Sequence, residues 1–331
     1  MVPSSPSQVL NASKTDAFLV SNLTNIRYLT GVELSAGAVL VTSRRIVLFV
    51  DGRYSEVAKK NARKGVQVQD RSALKKALAR VLQCGCEADE VTLAQFRQWK
   101  RKYKNTKFVQ RSGIIEEFRR VKSPQELTKF RKAQRITHTL LKKVPGLLKL
   151  GVTEKKVARS LLAIAEDLGA DALSFEPIVA FGTHSSRPHH RASHSKLKKG
   201  QMVQIDIGAR YHGYCADQSA VFFTGPKTKK QEHALKAVEE AKAEAVALVK
   251  EGVSTHDLDE AARGVLKSYG YEKEFCHSLG HGLGLDIHEG AHISVKAPEE
   301  FLQKGEIVTI EPGVYFAGQF GVRLEEEVVV E

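Results

Sequence analysis

Three histidines stand in one glycine-rich stretch, His277-Ser-Leu-Gly-His281-Gly-Leu-Gly-Leu-Asp-Ile-His288-Glu289, and no Lys or Arg interrupts it. Glycine lets backbone or ligand approach closely, and imidazoles bind metals or move protons near neutral pH. A buried loop that merely contains histidines would look the same in isolation, and the acids on either side decide the matter. Upstream, Met202-Val-Gln-Ile-Asp206-Ile-Gly208 and Gly213-Tyr-Cys-Ala-Asp217-Gln-Ser-Ala-Val-Phe-Phe read as a β-hairpin. A turn centred between Tyr211 and His212 places Asp206 directly opposite Asp217, where like charges are destabilising. Downstream, Ile307-Val-Thr-Ile-Glu311 and Val322-Arg-Leu-Glu325 flank a turn centred on Gly318, which places Glu311 opposite Glu325. Two acidic pairs inside apolar strands call for cations. Four carboxylates and one imidazole suit two divalent ions such as Mn²⁺, Co²⁺ or Zn²⁺, and the absence of cysteine from the set argues against a closed structural zinc site.

The elements that must position these groups are legible in outline. The 331 residues allow two domains, and 42% hydrophobic with 27% charged residues is a globular composition. Residues from about 15 to 110 alternate strand and helix signals: strands at Ala17–Val20, Ala38–Thr42, Ile46–Val50 and from Val66, a short helix from Thr24, and another from Ser55 to Lys64. No catalytic constellation lies there. The spacing places a boundary near Arg119 to Ser123, giving domains 1–120 and 121–331. Ser123-Pro-Gln-Glu126 opens a helix with Ser as N-cap, Pro at N1 and Glu at N3. Beyond it the chain repeats at an offset of 101: Gly151-Val-Thr153 starts a helix stopping at Gly169, and Gly252-Val-Ser254 starts one stopping at Gly270. Each unit then leads into histidines and a hairpin carrying two acids.

Other function classes recede. Net charge is +13, with a basic run from Arg97 to Lys156, but no aromatic platform interleaves it, so a solvated face is expected rather than a nucleic-acid surface. No apolar run reaches membrane-spanning length. The opening Met-Val-Pro-Ser-Ser-Pro-Ser lacks the pattern of a signal peptide, and Cys84, Cys86, Cys215 and Cys276 form no disulfide framework. The cytoplasm is the expected compartment.

The order Asp206…Asp217…His281…Glu311…Glu325 resembles the metal signature of the pita-bread-fold metallopeptidases, which include Xaa-Pro aminopeptidase, Xaa-Pro dipeptidase and methionine aminopeptidase. Asn25-Ile-Arg-Tyr-Leu-Thr-Gly31 and Asp51-Gly-Arg-Tyr54 resemble the amino-terminal domain that only the first two carry. The resemblance implies an α+β catalytic domain of pseudo-twofold αα-plus-hairpin halves, preceded by a smaller α/β creatinase-type domain. It implies two divalent ions bridged by Asp217 and Glu325, with Asp206 on one ion and His281 and Glu311 on the other. Glu311 would serve as general base. His189, in Pro188-His189-His190, and His277 would belong to the substrate pocket, His288 would assist at the scissile carbonyl, and Arg323 would brace the bridging acids. Proline-containing peptides are the implied substrates and a homodimer the implied assembly. Two departures stand out. Ser219-Ala220-Val221 replaces a usual Thr-Arg-Thr, and Ala291-His292 replaces a Pro-Arg whose arginine holds substrate in some members. Without that grip on a carboxylate, the expectation leans toward an aminopeptidase over a dipeptidase.

Overall fold

A computed structural model describes Pro3 and residues 5–331. Met1, Val2 and Ser4, part of the opening discussed above, lie outside the described residues. The chain divides into two compact units, Met1–Arg119 and Arg120–Glu331.

The first unit is a six-stranded sheet of β1 (Ala17–Val20), β2 (Ala38–Thr42), β3 (Arg45–Val50), β4 (Val66–Asp70), β5 (Gln83–Glu87) and β6 (Lys107–Arg111), in the order β4-β3-β2-β1-β5-β6. The β1–β2 and β2–β3 pairs are antiparallel, and the outer pairs are parallel. The helix read as Ser55 to Lys64 stops at Asn61, because the chain turns where Arg63 N donates to Thr30 O. This unit holds 21 Lys and Arg against 10 Asp and Glu, so nearly all the net charge belongs to the unit that contains none of the four acids discussed above.

The second unit is built twice. Its first half pairs the helix Pro124–Leu147 with the helix Glu154–Asp167, and its second half pairs Lys229–Leu248 with Thr255–Ser268. Ser123 and Glu126 form the expected capping box, and Thr153 and Ser254 cap the two 14-residue helices. The repeat extends to the backbone. Gly151 N donates to Leu197 O and Gly252 N to Leu302 O, and the N–H groups of Leu197 and Leu302 return to Val152 and Val253. Each half buries its own apolar cluster, one around Leu140, Leu161 and Ile205, the other around Ala241, Leu266 and Val308.

The first half continues through β7 (Ala172–Leu173), β8 (Ile178–Phe181), β9 (Met202–Ile207), β10 (Ala209–Tyr211), β11 (Tyr214–Cys215) and β12 (Gln218–Phe223). Its hairpin register differs from the sequence reading. Tyr211 pairs with Tyr214 and Asp206 with Ser219, so the turn is centred between His212 and Gly213. Both turn residues take positive φ (47° and 86°), as a two-residue hairpin loop requires, and only this centring places Gly213 inside the loop. The pairing moves by two residues, an even step, so Asp206 and Asp217 keep the same face but sit diagonally rather than opposed. Gly208 separates β9 from β10 where a Cβ would lie 1.7 Å from Ala216 O.

The second half ends in β13 (Gly280–His281), β14 (His292–Ile293), β15 (Ile307–Ile310), β16 (Gly313–Phe316), β17 (Phe320–Arg323) and β18 (Glu326–Val329). Ile310 pairs with Glu326 and Gly313 with Arg323, and this register carries Glu311 opposite Glu325, as the turn at Gly318 requires.

Candidate metal centre and active site

The two acid-bearing hairpins are stitched together side by side. Gln204 on β9 accepts from Arg323 N at 2.9 Å and donates to Arg323 O at 3.1 Å, and Glu325 N donates to Ser219 O at 3.3 Å. The histidine stretch then lies along β15: Glu311 N donates to Leu279 O at 2.7 Å and His281 N to Thr309 Oγ1 at 3.0 Å. Only glycine fits at 280, since a Cβ there would stand 1.9 Å from Thr309 O.

This brings Asp206, Asp217, His281, Glu311 and Glu325 together. His281 donates from Nδ1 to Gly282 O at 3.0 Å, so its unprotonated Nε2 faces Asp217 Oδ2 at 3.6 Å and Glu311 Oε1 at 3.7 Å. A lone pair aimed at carboxylate oxygens is repulsive unless a cation stands between them. Asp206 Oδ1, Asp217 Oδ1 and Glu325 Oε1 are buried without a hydrogen-bond partner among the described residues. Buried polar atoms are ordinarily satisfied, so these oxygens and the His281 lone pair fit divalent ions. Asp217, His281 and Glu325 offer ligand atoms within 4.8 Å of one another.

Electrostatics says the same. Burial, then the charges of Glu325, Asp206, Glu311 and Glu327, hold the Asp217 carboxyl well above its ordinary range. Glu325 is raised for the same reasons, burial first and then Glu311 and Asp206. Burial pushes Glu311 up to about 8, with Arg323 opposing, and lifts Glu327 to about 8. Without ions these acids are therefore more protonated in the folded than in the unfolded chain. The resulting stabilisation is complete below the unfolded carboxyl pKa and is lost as pH rises toward about 8. Metal-free protein is expected to melt at a lower temperature at pH 8 than at pH 5.5, and Glu327→Gln to flatten the dependence. A melting temperature that is flat or rises with pH in chelated wild type would refute this.

Among the described residues, Arg323 is the guanidinium that reaches these acids. Nη2 donates to Asp206 Oδ2 at 2.5 Å, Nε to Ser219 Oγ at 2.9 Å, and Nη1 to Tyr315 OH at 2.7 Å. Burial opposes its charge, but Tyr315, Asp206 and Glu311 more than compensate and hold it protonated. Beyond Tyr315, His277 Nε2 lies 3.0 Å from the phenol oxygen while its Nδ1 donates to Ser278 O. Burial, then the Arg323 charge, drives the His277 pKa down to about 4, and burial with His288 does the same to His281.

A cavity of about 810 Å³ opens over this centre, and its lining includes Asp206, Asp217, Glu311, His189, His277, His288 and Arg323. His288 stands edge-on to His281 at 4.2 Å between ring centroids, and burial, then His189 and His292, lowers its pKa. His292 pairs in register with His281 and sits 2.7 Å from Ser278 Oγ.

Three groups escaped the sequence reading. Glu327 accepts from Asp217 N at 2.6 Å and leaves Oε2 buried without a partner among the described residues. Its signal was the two-residue period from Glu325, with Glu326 exposed between them. Tyr315 links Arg323 to His277, and nothing in its flanking residues marked it. Glu154 gathers His184 and His190 at 2.7 and 2.9 Å, a second group of possible metal ligands. Here the distances are those of direct hydrogen bonds, and Phe181 N, Ser193 N and Ser193 Oγ also donate to the same carboxylate. A carboxylate offers about four lone-pair sites. The Glu154 group is closed by hydrogen bonds, whereas the group around Asp217 has spare acceptors.

Known proteins share this arrangement. The pattern described as Creatinase/Prolidase N-terminal domain matches residues 7–121, and that of Metallopeptidase family M24 matches residues 128–331. A curated relative, Xaa-Pro dipeptidase from Pyrococcus horikoshii, is 30% identical over 98% of this chain and 92% of its own. Among solved structures, an Xaa-Pro dipeptidase from Bacillus anthracis superposes with a TM-score of 0.94 at 29% identity, over 98% of this chain and 94% of that one. An X-Pro aminopeptidase from Thermotoga maritima gives 0.89 at 32% identity, over 98% and 95%. The pita-bread fold, the creatinase-type first domain and the cluster of buried acids agree, and the chain belongs to metallopeptidase family M24.

Proposed function

We propose that this chain is a dinuclear-metal exopeptidase that hydrolyses the bond between an N-terminal residue and a following proline, as an Xaa-Pro aminopeptidase. The observation that carries the reading is the convergence of buried, unsatisfied carboxylate oxygens on the His281 lone pair beneath an open cavity. Asp206, Asp217, His281, Glu311 and Glu325 would hold two divalent ions. The oxygen-dominated donor set favours Mn²⁺ over Co²⁺ or Zn²⁺. When bound, such ions polarise the scissile carbonyl and acidify the attacking water. Glu311 is the general base: its side chain is 19% exposed against 9% for Asp217, so it faces the cavity. His288 and His189 line the same cavity and donate hydrogen bonds to the developing oxyanion and the leaving nitrogen. His277 is held neutral, and with Tyr315 it fixes the orientation of Arg323.

A dipeptidase reading has one observation in its favour. Arg191 is exposed, lines the cavity and has no charged partner among the described residues, so it offers a cation to a free carboxylate. The deciding experiment compares Xaa-Pro with Xaa-Pro-Xaa peptides at matched metal loading. Higher kcat/KM is expected on the longer peptides. The reverse order would reassign the chain as a dipeptidase, and equal cleavage of peptides lacking proline would discard the proline reading. The homodimer rests on the family resemblance, and the cytoplasm is supported by four free cysteines, three of them buried. No helix among the described residues is long and apolar enough to cross a membrane.

A further inference from the structure

The cluster of Glu154, His184 and His190 takes no part in the chemistry above, yet one of its members, His190, lines the same cavity. Glu154 is fully buried and accepts five hydrogen bonds, which tie together Phe181, His184, His190 and Ser193 on both sides of His189. Burial alone would raise its carboxyl, but the bonds from Ser193, His190, Phe181 and His184 hold it below its ordinary value, so it is an anion that only accepts.

This constrains His190. In its neutral form the proton must sit on Nε2, which faces Glu154 at 2.9 Å. The other tautomer would set a lone pair against the carboxylate, a flipped ring would replace Nε2 by a carbon and lose the bond, and the His184 ring packs beside it at 4.5 Å between centroids. With the ring neutral, Nδ1 is therefore the acceptor, and it makes no hydrogen bond among the described residues. His190 lines the cavity next to His189.

An acceptor in a peptide site selects an N–H. A proline supplies none, so the first N–H beyond the scissile bond belongs to the residue after proline. An Xaa-Pro dipeptide presents a carboxylate oxygen there instead, acceptor against acceptor. An exopeptidase that removes one residue seats the amino end by the reacting groups, so the residue after proline lies further out in the cavity, whose lining includes His189 and His190.

We propose that His190, its tautomer set by Glu154, is a specificity-determining residue whose Nδ1 accepts the N–H of the residue following proline. The proposal rests on the proline-directed reading above and names what makes a longer chain preferable to a dipeptide.

The test compares Xaa-Pro-Ala with its depsipeptide, in which an ester oxygen replaces that one N–H and the scissile bond is unchanged. Wild type is expected to favour the amide about tenfold in kcat/KM, mostly through KM. His190→Phe keeps a ring beside His184 and is expected to bring the ratio close to one. Glu154→Gln, which offers His190 a donor as well as an acceptor, is expected to lower it part of the way. A wild-type ratio near one, or a ratio that survives His190→Phe, overturns the proposal. The wild-type ratio stands even if a variant fails to fold. Calorimetry of both peptides on chelated protein repeats the comparison without turnover, so an absence of Xaa-Pro cleavage, which defeats the proline reading, is told apart from a missing N–H preference. Equal affinities, or no binding of either peptide, overturn the proposal there.

Discussion

Asp217→Asn is expected to abolish peptidase activity and to uncouple thermal stability from added metal. Asp217 is buried among Asp206, Glu311, Glu325 and Glu327, and its Oδ1 has no partner among the described residues. In wild type, divalent ions relieve the mutual repulsion of these acids, so the melting temperature is expected to climb on adding Mn²⁺ and to fall on chelation. The amide removes one charge and one anionic ligand. Metal-free Asp217→Asn is therefore expected to be at least as stable as metal-free wild type, while its gain on adding Mn²⁺ largely disappears. Denaturation scans with and without metal, alongside activity, separate these effects. Full activity of wild type after exhaustive chelation, or an equal metal-induced gain in the variant, would sink the assignment.

Arg323→Met is expected to give the largest loss of folding stability of any single exchange near the site, about 3–5 kcal/mol. The guanidinium satisfies Asp206, Ser219 and Tyr315 at once and stands 3.9 Å from Glu311. Removing it leaves a buried carboxylate without its counter-charge and a buried phenol without its donor. Lysine does not replace a planar fork that serves these three partners and Pro188 O as well, so Arg323→Lys is expected to recover less than half of the loss. Urea denaturation of the metal-free proteins measures both. A loss below about 1 kcal/mol for Arg323→Met, the scale of an exposed ion pair, would show that the hub is not holding the acids together.

Much of this site can be read in the chain because its parts follow local rules. Ser123-Pro-Gln-Glu126, Thr153 and Ser254 cap helices through bonds to residues two or three positions away, so sequence alone places those helix starts. The turn at Gly318 sets a register that runs unbroken from Phe316–Phe320 to Ile307–Val329. The hairpin carrying Asp206 and Asp217 resisted the same reading because His212, a residue with a Cβ, adopts positive φ. Glycine was the visible cue, and it marked the second turn position rather than the edge of the loop. Glu154 was hidden for a different reason. Its partners lie 27 to 39 residues away, and it occupies the first helical turn, where an acid is already expected for its effect on the helix dipole.

The seam between the two hairpins also governs how the molecule is assembled. The bond from Gln204 to Arg323 joins residues 119 positions apart, whereas each hairpin closes over a two- or three-residue loop. Closing the long connection carries the larger entropic penalty, so each half can collapse on its own helices before the seam forms. The acids then meet late, and their repulsion acts after the folding barrier rather than before it. Exchanges at Gln204 or Ser219 are accordingly expected to speed unfolding while leaving the refolding rate nearly unchanged. Stopped-flow arms in denaturant display that asymmetry, and a slowed refolding arm would place the seam in the nucleus instead.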